Sequence, residues 1–505
     1  MSLGPQGVRA MRWSLMTGGL RLLLQVGAQV MLARLLGPQA FGLFAIGMVV
    51  LTFAGFVSGF GLSWSLTQRP EVDDEDIRFA WTWQLIAGLL ALIALQLAAP
   101  AVAALFKEPA SESVLRWLSL SCLLQAASAP ATHLLTRALN FRTLGLIQLG
   151  SYGVGYALVG LPLAWMGLGV HALVAAWLVQ AAVVLLASLA LCPHPKQPLL
   201  WYARAAQTLG TGQAAFLTNL VNWCLVNLDR VIIGRVLGAW SLGLYNVAYN
   251  LASVPNSLLL GTLQPAFLAA GAQMQSQSSR LAQAYEQMLA TLLVIAVPAF
   301  AVLAILAPDL VQSLYGPRWQ QAGSVLAWLL AFMPALAIWG ISTPVLWNTA
   351  RPHHEWVLQV PLIALGALGL WLAAPMGIET AASAAALLML LRAAVMVGAA
   401  RAALKLPWSA LAPQAWRGLW LTLAFCALVM GVQALLSSGP TLLRLTASAL
   451  APAAAMGLTL WLRPAWIEHW AGPEAWSMAA RFVPALNRRT AGTETGALQN
   501  PAHGA

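Results

Sequence analysis

Apolar residues run along this chain in stretches of about twenty, the length an α-helix needs to cross bilayer hydrocarbon. Short polar breaks separate these stretches almost to the carboxy terminus. Windows of that size predict about fourteen spans. They include 13–35 and 40–66 near the start, 209–233 and 242–268 in the middle, and 416–436 and 441–462 at the end. The first stretch is too long for a cleaved leader and lacks a small-residue cleavage site, so it counts as a span. The expected fold class is an all-α integral membrane protein.

The pattern is written twice. ARLLGPQAFGLF at 33–44 returns as GRVLGAWSLGLY at 234–245, each string following an apolar stretch. Aligning Arg34 with Arg235 pairs Gly37 with Gly238, Gly42 with Gly243 and Phe44 with Tyr245, at an offset of about 200 residues. A weaker echo pairs Pro130 to Arg137 with Pro344 to Arg351. The glycines have a backbone reason to recur, because a tight turn between two membrane helices needs positive φ or close approach. An even number of predicted spans separates the strings, which makes the halves a parallel repeat about an axis along the membrane normal. The expected organisation is a six-helix lobe at 1–192, a cytoplasmic linker at 193–207 and a second six-helix lobe at 208–405. Two extra helices at 406–462 and a final segment at 463–505 follow, the latter interfacial through Trp466, Trp470 and Trp476 and then disordered.

Composition agrees with this reading. With 60% hydrophobic and 8% charged residues, the chain lacks the charge that water-facing surfaces carry. The formal net charge of +11 is explained by loop placement rather than by nucleic acid. Lys and Arg gather on one side of the spans by roughly three to one, the positive-inside pattern, which puts both termini in the cytoplasm. The four cysteines have no paired spacing, so neither a disulfide framework nor a metal site is indicated.

A charge at bilayer depth costs about 2.5–3.5 kcal/mol on insertion scales, so intramembrane polar residues should face protein or water. The first span sets Thr17, Arg21, Gln25 and Gln29 at steps of four on one helical face. The seventh, its repeat partner, carries Asn219, Asn222 and Asp229 with Arg230 adjacent, and the eighth adds Asn246 and Asn250. In the twelfth, Arg392 sits among apolar residues with no local acid. Two equivalent helices with polar stripes fit a hydrated path between lobes. Guanidinium groups on that path suit phosphate, since their planar fork donates two hydrogen bonds and stays charged, and Arg21 and Arg392 are the first candidates for that role with Arg230 a further one. Plainer readings stand beside this one. Asn and Gln glue helices together, Asp229 can pair with Arg230 or Arg235, and Arg21 and Arg392 can snorkel.

ARLLGPQAFGLFAIG, NLDRVIIGRVLGAWSLGLYNVAYNLASVP and LYGPRWQQAG at 314–323 resemble the Wzx-type polysaccharide exporters of the WzxC and TuaB group. That group belongs to the multidrug, oligosaccharidyl-lipid and polysaccharide flippase superfamily. The resemblance implies two MATE- and MurJ-like lobes, two extra helices and alternating access. It also implies movement of an undecaprenyl-diphosphate-linked oligosaccharide across the cytoplasmic (inner) membrane. No cofactor is expected, and coupling to proton or sodium is left open. The partners it implies are the lipid-linked oligosaccharide, membrane lipids, and polysaccharide polymerase and chain-length machinery. An alternative within the same fold is an ion-coupled exporter of cationic drugs or metabolites, for which Asp229 is the best-placed carboxylate. A glycosyltransferase or polymerase is disfavoured because the predicted outer loops carry no paired acids for general acid-base work.

Overall fold

The computed structural model describes residues 5–59, 66, 72–202, 205, 213–273, 278–349 and 353–462. Among these the regular structure is helical. In chain order the helices are α1 (Pro5–Gly59), α2 (Asp74–Phe106), α3 (Ala110–Arg137), α4 (Phe141–Tyr152), α5 (Leu161–Trp165), α6 (Val170–Leu191) and α7 (Gln213–Gln273). They continue as α8 (Ser278–Thr291), α9 (Val297–Tyr315), α10 (Gln320–Asn348), α11 (His353–Ala373), α12 (Ile378–Leu404), α13 (Trp408–Leu435) and α14 (Thr441–Leu462). π-helical turns at Gly153–Gly160 and Leu292–Ala296 join α4 to α5 and α8 to α9. The interfacial segment and tail expected at 463–505 lie outside the described residues.

Eleven helices among the described residues are long and apolar enough to cross a membrane. Two of them, Met16–Phe56 and Leu217–Gly261, have 41 and 45 residues. At 1.5 Å per residue each would be about 60 Å long if straight, twice the hydrocarbon thickness. Neither is straight. α1 breaks at Gly37 (φ 75°, ψ 176°) and α7 at Gly238 (φ 80°, ψ 179°), a backbone region essentially confined to glycine. Each long helix is therefore two limbs joined at an elbow, where the sequence pattern predicts two spans. α3, which carries Arg116, Gln125 and His133 along with several serines, is not among the eleven. Those hydroxyls bond back into their own helix, as Ser119 Oγ does to the Arg116 carbonyl (2.6 Å) and Ser121 Oγ to Leu118 (2.7 Å).

The chain forms two compact units, the first made of Met1–Leu251, Leu314–Trp319 and Ile363–Ala381. At its centre the two elbows meet. A Cβ on Gly42 would lie 1.7 Å from the Ala239 carbonyl oxygen, and one on Gly243 would lie 1.9 Å from that of Pro38. Only glycine allows this reciprocal backbone approach. The Glu108 carboxylate accepts the Ala239 N–H at 2.8 Å and lies 3.4 Å from the Gln39 side-chain amide, bridging both elbows. Trp319, fully buried, donates its indole N–H to the Ala33 carbonyl (3.1 Å) and meets Phe41 edge-on. Arg34 Nε donates to the Leu314 carbonyl (2.6 Å), so the LYGPRW turn braces the first elbow.

Within the same unit the segment after α6 is strapped to the first turns of α2. Arg78 Nε donates to the Gln197 carbonyl (3.1 Å), Trp83 Nε1 to that of Leu200 (2.9 Å), and the Leu199 N–H to Thr82 Oγ1 (2.9 Å). The Tyr202 hydroxyl donates to the buried Asp76 carboxylate, and its ring packs on Phe79.

The second unit comprises Ala252–Ser313, Gln320–Leu362 and Ala382–Ala505. Here α13 lies on the π-helical turn, where a Cβ on Gly418 would come 2.3 Å from the Leu293 carbonyl oxygen. Val429 of α13 packs with Val302 and Leu306 of α9. The Arg444 guanidinium engages both oxygens of Asp309, tying α14 to α9.

Candidate functional site

In the first unit the limbs beyond each elbow and the limb before the second line a cavity of about 220 Å³ with both polar and apolar walls. The second limb of α1 supplies Phe44, Ala45, Met48, Val49 and Thr52, which share one helical face at steps of four. The first limb of α7 supplies Asn227 and Arg230, one turn apart, and its second limb supplies Asn246 and Asn250. The repeat is visible in the wall. Under the alignment of Arg34 with Arg235, Ala45 and Val49 correspond to Asn246 and Asn250. One half contributes apolar contacts where its twin contributes amides.

Arg230 is the charge of this cavity. Its Nη1 donates to Asn227 Oδ1 (3.1 Å), its guanidinium carbon lies 4.4 Å from the centre of the Tyr249 ring, and its buried Nε has no hydrogen-bond partner. Asn227 is anchored by its own Nδ2, which donates to the Trp223 carbonyl (2.9 Å). Thr52 Oγ1 faces Trp223 Nε1 across 3.4 Å, and the Trp223 ring leans on Phe53 at 4.8 Å. The wall thus combines one cation, neutral hydrogen-bonding groups and the apolar side chains of Phe44, Ala45, Met48 and Val49, with Tyr249 and Trp223 packed against its polar members.

Of the residues expected at a substrate site, Arg230, Asn246 and Asn250 are brought together here. Asp229 is buried behind the wall, its Oδ1 accepting the Arg230 backbone N–H (2.7 Å) and its Oδ2 the Tyr245 hydroxyl. Asn222 does not line the cavity. On the first limb of α1, Arg21 donates through Nη1 to Gln148 Oε1 of α4 (2.5 Å). Gln25 is half-buried on that limb, and Gln29 has a buried amide nitrogen without a partner. Arg392 belongs to the second unit, 4% exposed. There its Nε donates to Gln359 Oε1 (2.6 Å) and its guanidinium lies 3.9 Å above the Trp339 ring. Sequence reasoning missed Asn227, Thr52 and Tyr245. Asn227 had a signal, since it precedes Arg230 by one helical turn, and so did Tyr245, whose repeat partner Phe44 lacks the hydroxyl; Thr52 had none.

A polysaccharide biosynthesis protein family profile matches residues 31–324, which contain both elbows and the whole cavity. The chain belongs to that family. The chain is 24% identical over 332 residues to the lipopolysaccharide biosynthesis protein WzxC of Escherichia coli (strain K12), covering 65% of this chain and 66% of the relative. It is 28% identical over 328 residues to the succinoglycan biosynthesis transport protein ExoT of Rhizobium meliloti (strain 1021), covering 65% of each. The chain thus spans just under two thirds of the length of these relatives. Beyond the family, the fold is that of the lipid II flippase MurJ in an inward closed conformation, with a TM-score of 0.70, 10% identity, and 88% of this chain and 98% of that one covered. An inward-facing multidrug resistance MATE transporter superposes with a TM-score of 0.58 and 15% identity, over 76% of this chain and 94% of that one.

Proposed function

We propose that this chain moves an undecaprenyl-diphosphate-linked oligosaccharide from the inner to the outer leaflet of the cytoplasmic membrane by alternating access of two six-helix lobes, with both termini in the cytoplasm. The observation that carries this reading is the cavity around Arg230. A guanidinium with Asn227, Asn246, Asn250 and Thr52 about it, inside otherwise apolar helices, offers a bidentate donor to a diphosphate and amide and hydroxyl partners to sugars. The lipid tail stays in the bilayer and no bond is broken. Arg21 adds a second cation on the first limb of α1, with Gln25 and Gln29 along the same face. Names of the family relatives, which concern lipopolysaccharide and succinoglycan biosynthesis, support the substrate class. The cationic-drug alternative needs a carboxylate open to the path, and both oxygens of Asp229 are engaged behind the wall.

The test is reconstitution. Purified protein in liposomes, loaded with an undecaprenyl-diphosphate oligosaccharide in both leaflets, should render the inner pool sensitive to an external glycosidase. Arg230→Ala should slow this by about tenfold or more, the worth of a charge-assisted hydrogen bond. An inner pool that stays protected with the wild-type protein would refute the assignment.

A further inference from the structure

Asp229 and Arg230 are neighbours of opposite charge, yet their side chains are held apart. The carboxylate is 5% exposed and both of its oxygens are used, one by the Arg230 backbone N–H at 2.7 Å and the other by the Tyr245 hydroxyl. The guanidinium turns the other way, to Asn227 Oδ1 and the face of Tyr249. Tyr245 and Tyr249 stand one turn apart on the limb beyond the elbow, with ring centres 6.3 Å apart. One grips the acid and the other carries the base.

The other half of the repeat supplies an internal comparison. Under the same alignment Asp229 corresponds to Ala28, Arg230 to Gln29, Tyr245 to Phe44 and Tyr249 to Met48. Where the acid is absent the phenolic hydroxyl is absent too, and where the guanidinium is absent so is the second tyrosine ring. A hydroxyl that merely packed the limb would have no reason to be missing along with the carboxylate.

We propose that Tyr245 is a specificity-determining residue. Its hydroxyl, fully buried, holds the Asp229 carboxylate away from a direct ion pair, so that the Arg230 guanidinium is free to meet the diphosphate. Losing that hydroxyl releases a carboxylate one residue from the guanidinium, and the cheapest partner for a buried carboxylate is the nearest cation. The guanidinium is then held in an ion pair, and the cavity loses its preference for an anionic head group. This inference rests on the function proposed above.

Four variants in the liposome assay separate the two, with protein content measured in the same vesicles. Tyr245→Phe should slow transport by about tenfold or more, as Arg230→Ala does. Asp229→Asn should stay near wild type, and Tyr245→Phe combined with Asp229→Asn should recover most of the lost rate, because the amide cannot hold Arg230 in an ion pair. Binding of farnesyl diphosphate to the detergent-purified variants should follow the same order. Equal impairment of the single Tyr245→Phe and the double variant would overturn the proposal, because it assigns Tyr245 a packing role only. Wild-type transport by Tyr245→Phe would also overturn it. Normal transport by Arg230→Ala would instead remove the function of the cavity itself, and the Tyr245 proposal with it.

Discussion

Single residues separate cations that look alike in the sequence. Arg21, Arg230 and Arg392 all stand out as charges in apolar stretches, and spacing alone gives no reason to rank Arg230 first. Their surroundings differ. Arg230 borders a cavity, Arg21 leans on Gln148, and Arg392 is enclosed between Gln359 and Trp339. Arg392→Ala should therefore act on stability. It leaves Gln359, itself fully buried, without its donor partner, which costs about 1–3 kcal/mol. Thermal unfolding in detergent should fall while the transport rate per folded molecule is kept. Arg230→Lys should do the reverse, keeping stability and losing transport by about tenfold, since a point charge replaces the fork that stacks on Tyr249. Sequence could supply the charges but not their neighbours, because Gln148 and Gln359 lie on other helices at no fixed offset.

At the level of helices and loops, the duplicated strings made the two elbows legible, including the need for glycine at 37 and 238. What they did not disclose is that the elbows pack on each other through Gly42 and Gly243. Gly42→Ala should disrupt that contact, as the new methyl would meet the Ala239 carbonyl oxygen at 1.7 Å. Gly27→Ala, which meets nothing within 4 Å, should be neutral or stabilise its helix by up to about 1 kcal/mol. Membrane abundance and thermal stability of the pair check this. The linker was legible as a proline-rich, basic break, whereas its docking on α2 depends on Asp76, Thr82 and Trp83, far upstream. Burial holds the His194 imidazole below its ordinary value of 6.5, outweighing the hydrogen bond to the Pro195 carbonyl that raises it, and Lys196 adds to the lowering. The undocked linker therefore binds the proton more readily, and docking should weaken as pH falls through about 6.5. Hydrogen exchange at 194–202 should rise on acidification, and His194→Gln should abolish that pH dependence.

Across the whole molecule, the chain is a many-helix membrane protein of the polysaccharide biosynthesis family whose two elbow segments share one backbone break and differ in polarity. One half lines the cavity with Ala45 and Val49, the other with Asn246 and Asn250. Asymmetry of this kind between two similar elbows gives the cavity a charged end and a hydrogen-bonding wall. The measurement that bears most directly on it is the leaflet distribution of lipid-linked saccharide in the host cell, read with an external glycosidase after deletion of this chain. The account predicts that protected, inward-facing units accumulate, that the wild-type chain restores their exposure, and that Arg230→Ala at equal abundance does not. An unchanged external share in the deletion strain would contradict it.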